Sequence, residues 1–343
     1  MKIFSFLLKT YIGDLQYVIK LIDSFNKYNS DNILIYVVVP SKDLFSFNCI
    51  SSELVKIISE ESLGISLTKE KINGIRPGYI NQAIIKLGFW EAGYSKNYFC
   101  VDSDSIFIKN FFISDFIHSK DVPYSVLVED KELMVDPGYF FKQNWNGRFK
   151  SIRKIQKSLG MNSDRKVLTS HGFSIFSSKV LKSLKNDFLE KNKIDYIDLI
   201  KISPYEPSWY NMWLQHKKPI EIHPIEPLFK TFHYKNHHLD YLIKKINLND
   251  ISRGYLGLVI NSNYSRGWGI VSYNDSTFKH LGNYFKLKDL FLAIVYKIFF
   301  KLKSFILKLL FSAATTKTKS PIQKVSKSPT SFLHLLVNMN KNL

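Results

Sequence analysis

A chain of 343 residues, 45% hydrophobic and 15% aromatic, holds enough apolar material for a large core, which excludes a mainly disordered protein. Its two cysteines, Cys49 and Cys100, are too few for a disulfide scaffold. The 48 Lys and Arg against 29 Asp and Glu leave a formal charge of +19, which implies an anionic partner: nucleic acid, an acidic membrane surface or phosphorylated substrates.

The N-terminus, MKIFSFLLKTYIGD, lacks a small-residue cleavage site and its apolar run breaks at Lys9. It reads as a first strand over 3–9 and not as a signal peptide, with the cytoplasm as the default compartment. Gly13-Asp14 then opens a helical pattern in which Leu15, Val18, Ile19 and Ile22 recur at helical spacing, with Asp14 placed as the N-cap. ILIYVVVP (33–40) is a continuous β-branched run ending at Pro40, as a buried parallel strand would. This β-α-β opening predicts an α/β sheet with helices on both faces.

Residues 79–90, YINQAIIKLGFW, are helical in pattern, with Gln82 and Lys86 one turn apart and Ile80, Ile84 and Leu87 on the opposite, buried face. NYFCVDSDSIFI (97–108) gives an apolar strand that ends abruptly in acids, with Cys100 as a buried thiol. Helical segments near 147–159 and 179–190 follow, then short strands around 220–234. No repeat or Gly/Ser linker interrupts the first 280 residues, so one domain is expected over 1–284.

The rest of the chain differs. Residues 290–311 are strongly apolar but carry Lys297, Lys301, Lys303 and Lys308, and a Ser/Thr/Lys-rich stretch follows. Ten lysines and one acid, Asp289, fall between Lys286 and Lys327. At about 100° per residue, Lys286, Lys297, Lys301, Ser304 and Lys308 share a stripe of roughly 60°. A spanning helix would bury these lysines at about 2.5–3.5 kcal/mol each. Lying flat avoids that cost and brings them to anionic headgroups at about 1 kcal/mol each. The expectation is a membrane-interface helix over 285–312 and a basic tether over 313–343; a helix packed on the core or on another subunit is the alternative. Nucleic acid is disfavoured as the partner, because the basic excess sits in a Leu/Ile/Phe-rich helix and not in a Lys/Arg stripe with stacking aromatics.

Asp102 and Asp104 carry the chemistry. In open α/β sheets ligands bind beyond the carboxyl ends of strands. Along an extended chain the two side chains would share one side, with Ser103 facing away. Two close carboxylates repel unless a cation or proton sits between them. A divalent metal bridging diphosphate oxygens meets that need; a solvated turn is the bland alternative.

Asp102-Ser103-Asp104, Gly78-Tyr79 with Gln82 and Lys86-Leu87 upstream, Glu206 with Tyr210 downstream, and the segment Phe229 through Tyr234 occur in an order and spacing that resemble one family across residues 1 to about 240. They resemble the GT-A class of nucleotide-sugar glycosyltransferases, in particular bacterial surface-polysaccharide enzymes with an Asp-Ser-Asp motif. The resemblance implies a Rossmann-like, mostly parallel sheet flanked by helices. It implies a nucleotide-sugar donor, Mn2+ or Mg2+, and a glycan or lipid-linked glycan acceptor. Asp104 would bind the metal, Asp102 the ribose or a metal-bound water, and His233 would complete the metal site. Gln82, Lys86, Arg76 and Lys235 become candidate donor contacts, and Tyr11 a candidate to stack on the donor base.

An inverting transfer needs a carboxylate to take the acceptor proton. Glu206, read as lying in an aromatic-rich turn, is the first choice, and Asp136, before Pro137-Gly138, the second. Trp209, Tyr210 and Trp213 would offer a stacking platform for a sugar. Asn211 stands where the resembling enzymes usually have Gly, which implies a looser backbone. An enzyme of this kind would sit peripherally on the inner face of the plasma membrane. A nucleotidyltransferase is the alternative enzyme, but KTYIGDLQ lacks the Gly-rich, basic loop it would need after the first strand. A non-enzymatic basic membrane- or nucleic-acid-binding protein is the non-catalytic alternative.

Overall fold

The computed structural model describes residues 1–140, 147–162, 168–170, 172–234, 237, 240, 241, 244, 246–261, 298 and 302. Lys235 and, apart from Ile298 and Leu302, the expected membrane-interface helix and tether lie outside the described residues. The chain divides into two compact units, Met1–Tyr284 and Phe285–Leu343, and every strand among the described residues belongs to the first.

Strand β1 (Lys2–Lys9) leads through helix α1 (Leu15–Tyr28) to β2 (Ile35–Val39), and β3 (Val55–Ser59) comes after it. Helix α2 (Pro77–Gly88) precedes β4 (Ser95–Val101), which turns into β5 (Ser105–Phe107). Helix α3 (Phe149–Ser158), β6 (Ile175–Ser177), α4 (Ser178–Leu184) and α5 (Glu206–Lys217) come next, then β7 (Phe229–Phe232) and β8 (Gly257–Ile260). The main sheet has the order β3-β2-β1-β4-β6. Its first four strands are parallel, and β6 runs antiparallel to β4.

Both faces of this sheet are covered, which is why β2 is apolar at every position. Alternation along β1 sends Leu7 to one core, with Ile84, Ile85 and Trp209, and Phe6 and Leu8 to the other, with Val18, Leu21 and Phe25. Helix α1 meets its core through Val18, Leu21, Ile22 and Phe25, one stripe at helical spacing. The α/β sheet with helices on both faces is as the sequence predicts.

A smaller sheet, β7-β8-β5, adjoins it: β8 runs parallel to β7 and antiparallel to β5. Gly257 makes that approach possible. A Cβ there would lie 2.5 Å from the Ile106 carbonyl oxygen and would overlap the Phe229 ring.

Three expectations change. The acids do not continue an extended strand: residues 102–105 make a tight turn closed by Ser105 N–H on the Asp102 carbonyl at 3.1 Å. Asp14 heads α1 without capping it, and its carboxylate instead accepts from Ser103 Oγ at 3.2 Å.

The SPYEPSWYNMW segment is the start of helix α5, not a turn. Pro207 is tolerated in the first helical turn, where the backbone N–H has no intrahelical partner to lose. The helix is buried nearly all round, and Trp209, Tyr210 and Trp213 are core residues at 0%, 1% and 2% exposure. Their polar atoms are used internally: Trp209 Nε1 donates to the Ser203 carbonyl, Trp213 Nε1 to Ser183 Oγ, and Tyr210 Oη accepts from Ser177 N–H. They offer no platform to a sugar. Asn211 is buried in the same helix and donates to the Val126 carbonyl, so no loose backbone results. Among the described residues no helix is long and apolar enough to cross a membrane.

Candidate functional site

The strand order places β2 on one side of β1 and β4 on the other. The connections leaving the carboxyl ends of β1 and β4 therefore part, and a cleft opens between them. A cavity of about 600 Å³ lies there, and Tyr11, Arg76, Gln82, Lys86, Asp102, Asp104, Glu206 and His233 all line it. Residues from five segments thus line one cavity.

Asp102, just past β4, is held from helix α2. Gln82 Nε2 donates to its Oδ1 at 3.0 Å and Lys86 Nζ at 2.9 Å. The spacing of four residues brings both donors to one face, and the face points inward and not to solvent. Lys86 Nζ also lies 3.2 Å from Glu206 Oε1, in the first turn of α5. One buried ammonium therefore bridges two carboxylates. Burial alone would push Lys86 down, but Asp102 and Glu206 together hold it well above the ordinary lysine value. Cys100, beneath it, is a buried thiol pushed far up by burial, and so inert.

Asp104 and His233 form the other half. The Ile260 N–H donates to the Asp104 carbonyl at 3.0 Å, and the Asn261 N–H to the Phe232 carbonyl at 3.2 Å. The Asn261 side-chain nitrogen lies 3.4 Å from His233 Nδ1, and the Tyr139 ring meets the imidazole edge-on at 5.0 Å. Burial first, then the neighbouring His237 and Arg148, push His233 down to about 4, with Asp136 opposing. At neutral pH the imidazole is uncharged, the form that ligates a metal.

Asp136 does not line the cavity. It caps the helical turn Pro137–Tyr139, accepting from Tyr139 N–H at 2.6 Å, with His237 Nε2 at 3.4 Å from its other oxygen. An Asp before Pro-Gly satisfies local backbone donors, and that is its role here.

Sequence reasoning missed Glu129 and Asp130, which also line the cavity. Glu129 pairs with the buried Arg148 and accepts from Tyr139 Oη at 2.7 Å. Burial pushes Arg148 down to about 9. Asp130 is held by Lys230 Nζ at 2.6 Å, and Lys230 also lies 2.9 Å from Glu132. The signal was present: YSVLVED ends an apolar run in acids, just as YFCVDSD does.

Among the described residues no group of three His, Cys, Asp or Glu is close enough to hold a metal by itself. The donor chemistry nonetheless suits one. Mg2+-like ions are commonly held by one or two carboxylates plus substrate phosphates and water, not by an all-protein cage. Asp104 supplies a carboxylate and His233 a neutral nitrogen. Asp102 is already paired with Lys86 at 2.9 Å.

Residues 3–233 match the family model described as "Family of unknown function (DUF6492)". A comparison with curated proteins finds no match. Similar solved structures include the galactosyltransferase LgtC in complex with donor and acceptor sugar analogs, at 9% identity and a TM-score of 0.41, covering 81% of this chain and 95% of that one. Mouse xyloside xylosyltransferase 1 in its apo form is similar at 8% identity and a TM-score of 0.41, covering 76% and 98%. The chain belongs to the DUF6492 family.

Proposed function

We propose that this DUF6492 member is a GT-A-type glycosyltransferase that moves a sugar from a nucleotide-sugar donor to a glycan or lipid-linked glycan acceptor in surface-polysaccharide synthesis. One observation carries the reading. Asp102, locked by Gln82 and Lys86, lines the same cavity as Asp104 and His233 at the carboxyl ends of β1 and β4. A nucleotide diphosphate has the charge and the oxygen ligands that such a cleft suits.

Asp104 and His233 would hold Mn2+ or Mg2+, and that cation would neutralise the diphosphate leaving group. The remaining roles belong to the chain. Tyr11 offers a half-exposed ring for the base at the end of β1, and Arg76 a guanidinium at the head of α2 for a phosphate. Asp102, oriented by its two donors, takes a ribose or sugar hydroxyl. Lys86, 3.2 Å from Glu206 Oε1, holds that carboxylate at the cleft wall, where it takes the acceptor proton as the sugar moves, with inversion at the anomeric carbon. The basic segment beyond 284 would keep the enzyme at the anionic inner face of the plasma membrane, near lipid-linked acceptors.

A panel of nucleotide-sugars, screened with Mn2+ for thermal stabilisation and for slow donor hydrolysis, tests the reading. One donor should raise the melting temperature only when Mn2+ is present. Equal responses to every nucleotide, with no hydrolysis of any donor, would overturn it.

A further inference from the structure

His233 leads out of β7 and Asn261 out of β8, and the parallel register of these strands sets Phe232 against Ile260. The two residues are therefore neighbours at the strand ends. Asn261 lies 28 positions past the end of the family match, so no motif pointed to it. The same strand end ties the segments that carry Asp104 and His233 together. Ile260 N–H holds the Asp104 carbonyl, Asn261 N–H holds the Phe232 carbonyl, and the Asn261 carboxamide meets His233 Nδ1 at 3.4 Å.

A neutral imidazole has one N–H and one lone pair, and the partner of one nitrogen decides the state of the other. In the structure the amide nitrogen of Asn261 faces Nδ1. A donor there uses the Nδ1 lone pair and leaves the proton on Nε2, so the ring has no lone pair left for a cation. Turning the carboxamide by half a revolution presents Oδ1 instead. The proton then sits on Nδ1, and the Nε2 lone pair is freed.

We propose that Asn261 is a positioning residue whose carboxamide sets the tautomer of His233, turning from donor to acceptor as a divalent cation binds at Asp104 and His233. The inference rests on the metal-dependent reading of the cleft and makes that cleft a two-position device. In the cation-free state Asn261 donates and His233 is closed to metal. In the loaded state Asn261 accepts and Nε2 is a ligand.

Asn261→Asp and Asn261→Leu separate the two positions. The carboxylate can only accept, so Asn261→Asp should hold the proton on Nδ1 without metal and bind Mn2+ at least as tightly as wild type. Asn261→Leu cannot select a tautomer, and its Mn2+ affinity should fall about 10–100-fold, as for lost outer-shell partners elsewhere. The readouts are Mn2+ titration of the full chain and the 15N shifts of His233. Wild type should show the Nε2–H form alone and the Nδ1–H form with saturating Mg2+. An unchanged Mn2+ affinity in Asn261→Leu, with Asp104→Ala abolishing binding, would overturn the inference and leave the metal reading standing. If Asp104→Ala binds Mn2+ as wild type does, the metal reading fails. The 15N shifts still judge the Asn261 contact, which is refuted if the tautomer is the same in wild type and Asn261→Leu.

Discussion

Replacing Lys86 by Met removes the ammonium shared by Asp102 and Glu206 while filling nearly the same volume. The two carboxylates then feel different losses. Glu206 has 12% of its side chain exposed, so it becomes a buried charge without a partner. Breaking a buried pair this way costs about 3–5 kcal/mol. Asp102 is 41% exposed, and solvent screening limits its share to about 1 kcal/mol or less. For a unit of this size each kcal/mol moves the melting temperature by about 2–4 °C, so Lys86→Met should melt about 6–20 °C lower. The pH dependence has a definite sign. The folded-state value of Lys86 is raised, so its contribution is fully present below the ordinary lysine value and fades only as pH climbs through the higher one. The deficit should therefore be constant between about pH 6 and 9. Thermal unfolding followed by circular dichroism measures it. Lys96→Met is the control, because its pair with Asp121 leaves Lys96 43% exposed and should be worth about 1 kcal/mol at most. Adding Glu206→Gln to Lys86→Met should recover stability, since a neutral amide no longer needs the cation. A Lys86→Met protein melting within about 2 °C of the Lys96→Met control would refute the reasoning.

Glu206→Gln preserves shape but accepts no proton, so kcat should fall about 10²–10⁴-fold while donor affinity holds, as steady-state kinetics would reveal. Trp209→Ala should cost about 3–5 kcal/mol in a denaturant titration and leave the ligand affinity of the folded protein unchanged; a normal melt with lost sugar binding would return Trp209 to the site. Truncation after Gly282 should give a folded protein that still hydrolyses donor but no longer sediments with anionic liposomes, and the triple change of Lys297, Lys301 and Lys308 to Glu should also release it. A truncated chain that fails to fold would place that segment in the core.

The sheet and the place of the site were legible because both rest on local pattern. Continuous apolar runs at 33–40 and 98–101 announce strands covered on both faces, and an apolar run that stops at Asp102 announces a strand end. What Lys86 does was not legible. Its spacing from Gln82 suits a solvated helix face as well as a cleft wall, and only the packing of α2 and α5 decides that the face turns inward. Glu206 and its aromatics were misread for a related reason. Pro207 breaks a helix interior but not a first turn, and a helix buried all round has no stripe to reveal its period. Glu129, Asp130 and Asn261 depend on partners about 20 to 100 positions away in the chain, Arg148, Lys230 and His233, and no local signal names such partners.

Nucleotide-sugar binding measured by calorimetry with and without Mn2+, in wild type and in Asp104→Ala, tests the central claim most directly. The account predicts that wild type binds donor only with Mn2+, that chelator reverses this, and that Asp104→Ala binds none although it melts normally. Donor binding and turnover that persist at full strength in chelator and in a normally folded Asp104→Ala would contradict it.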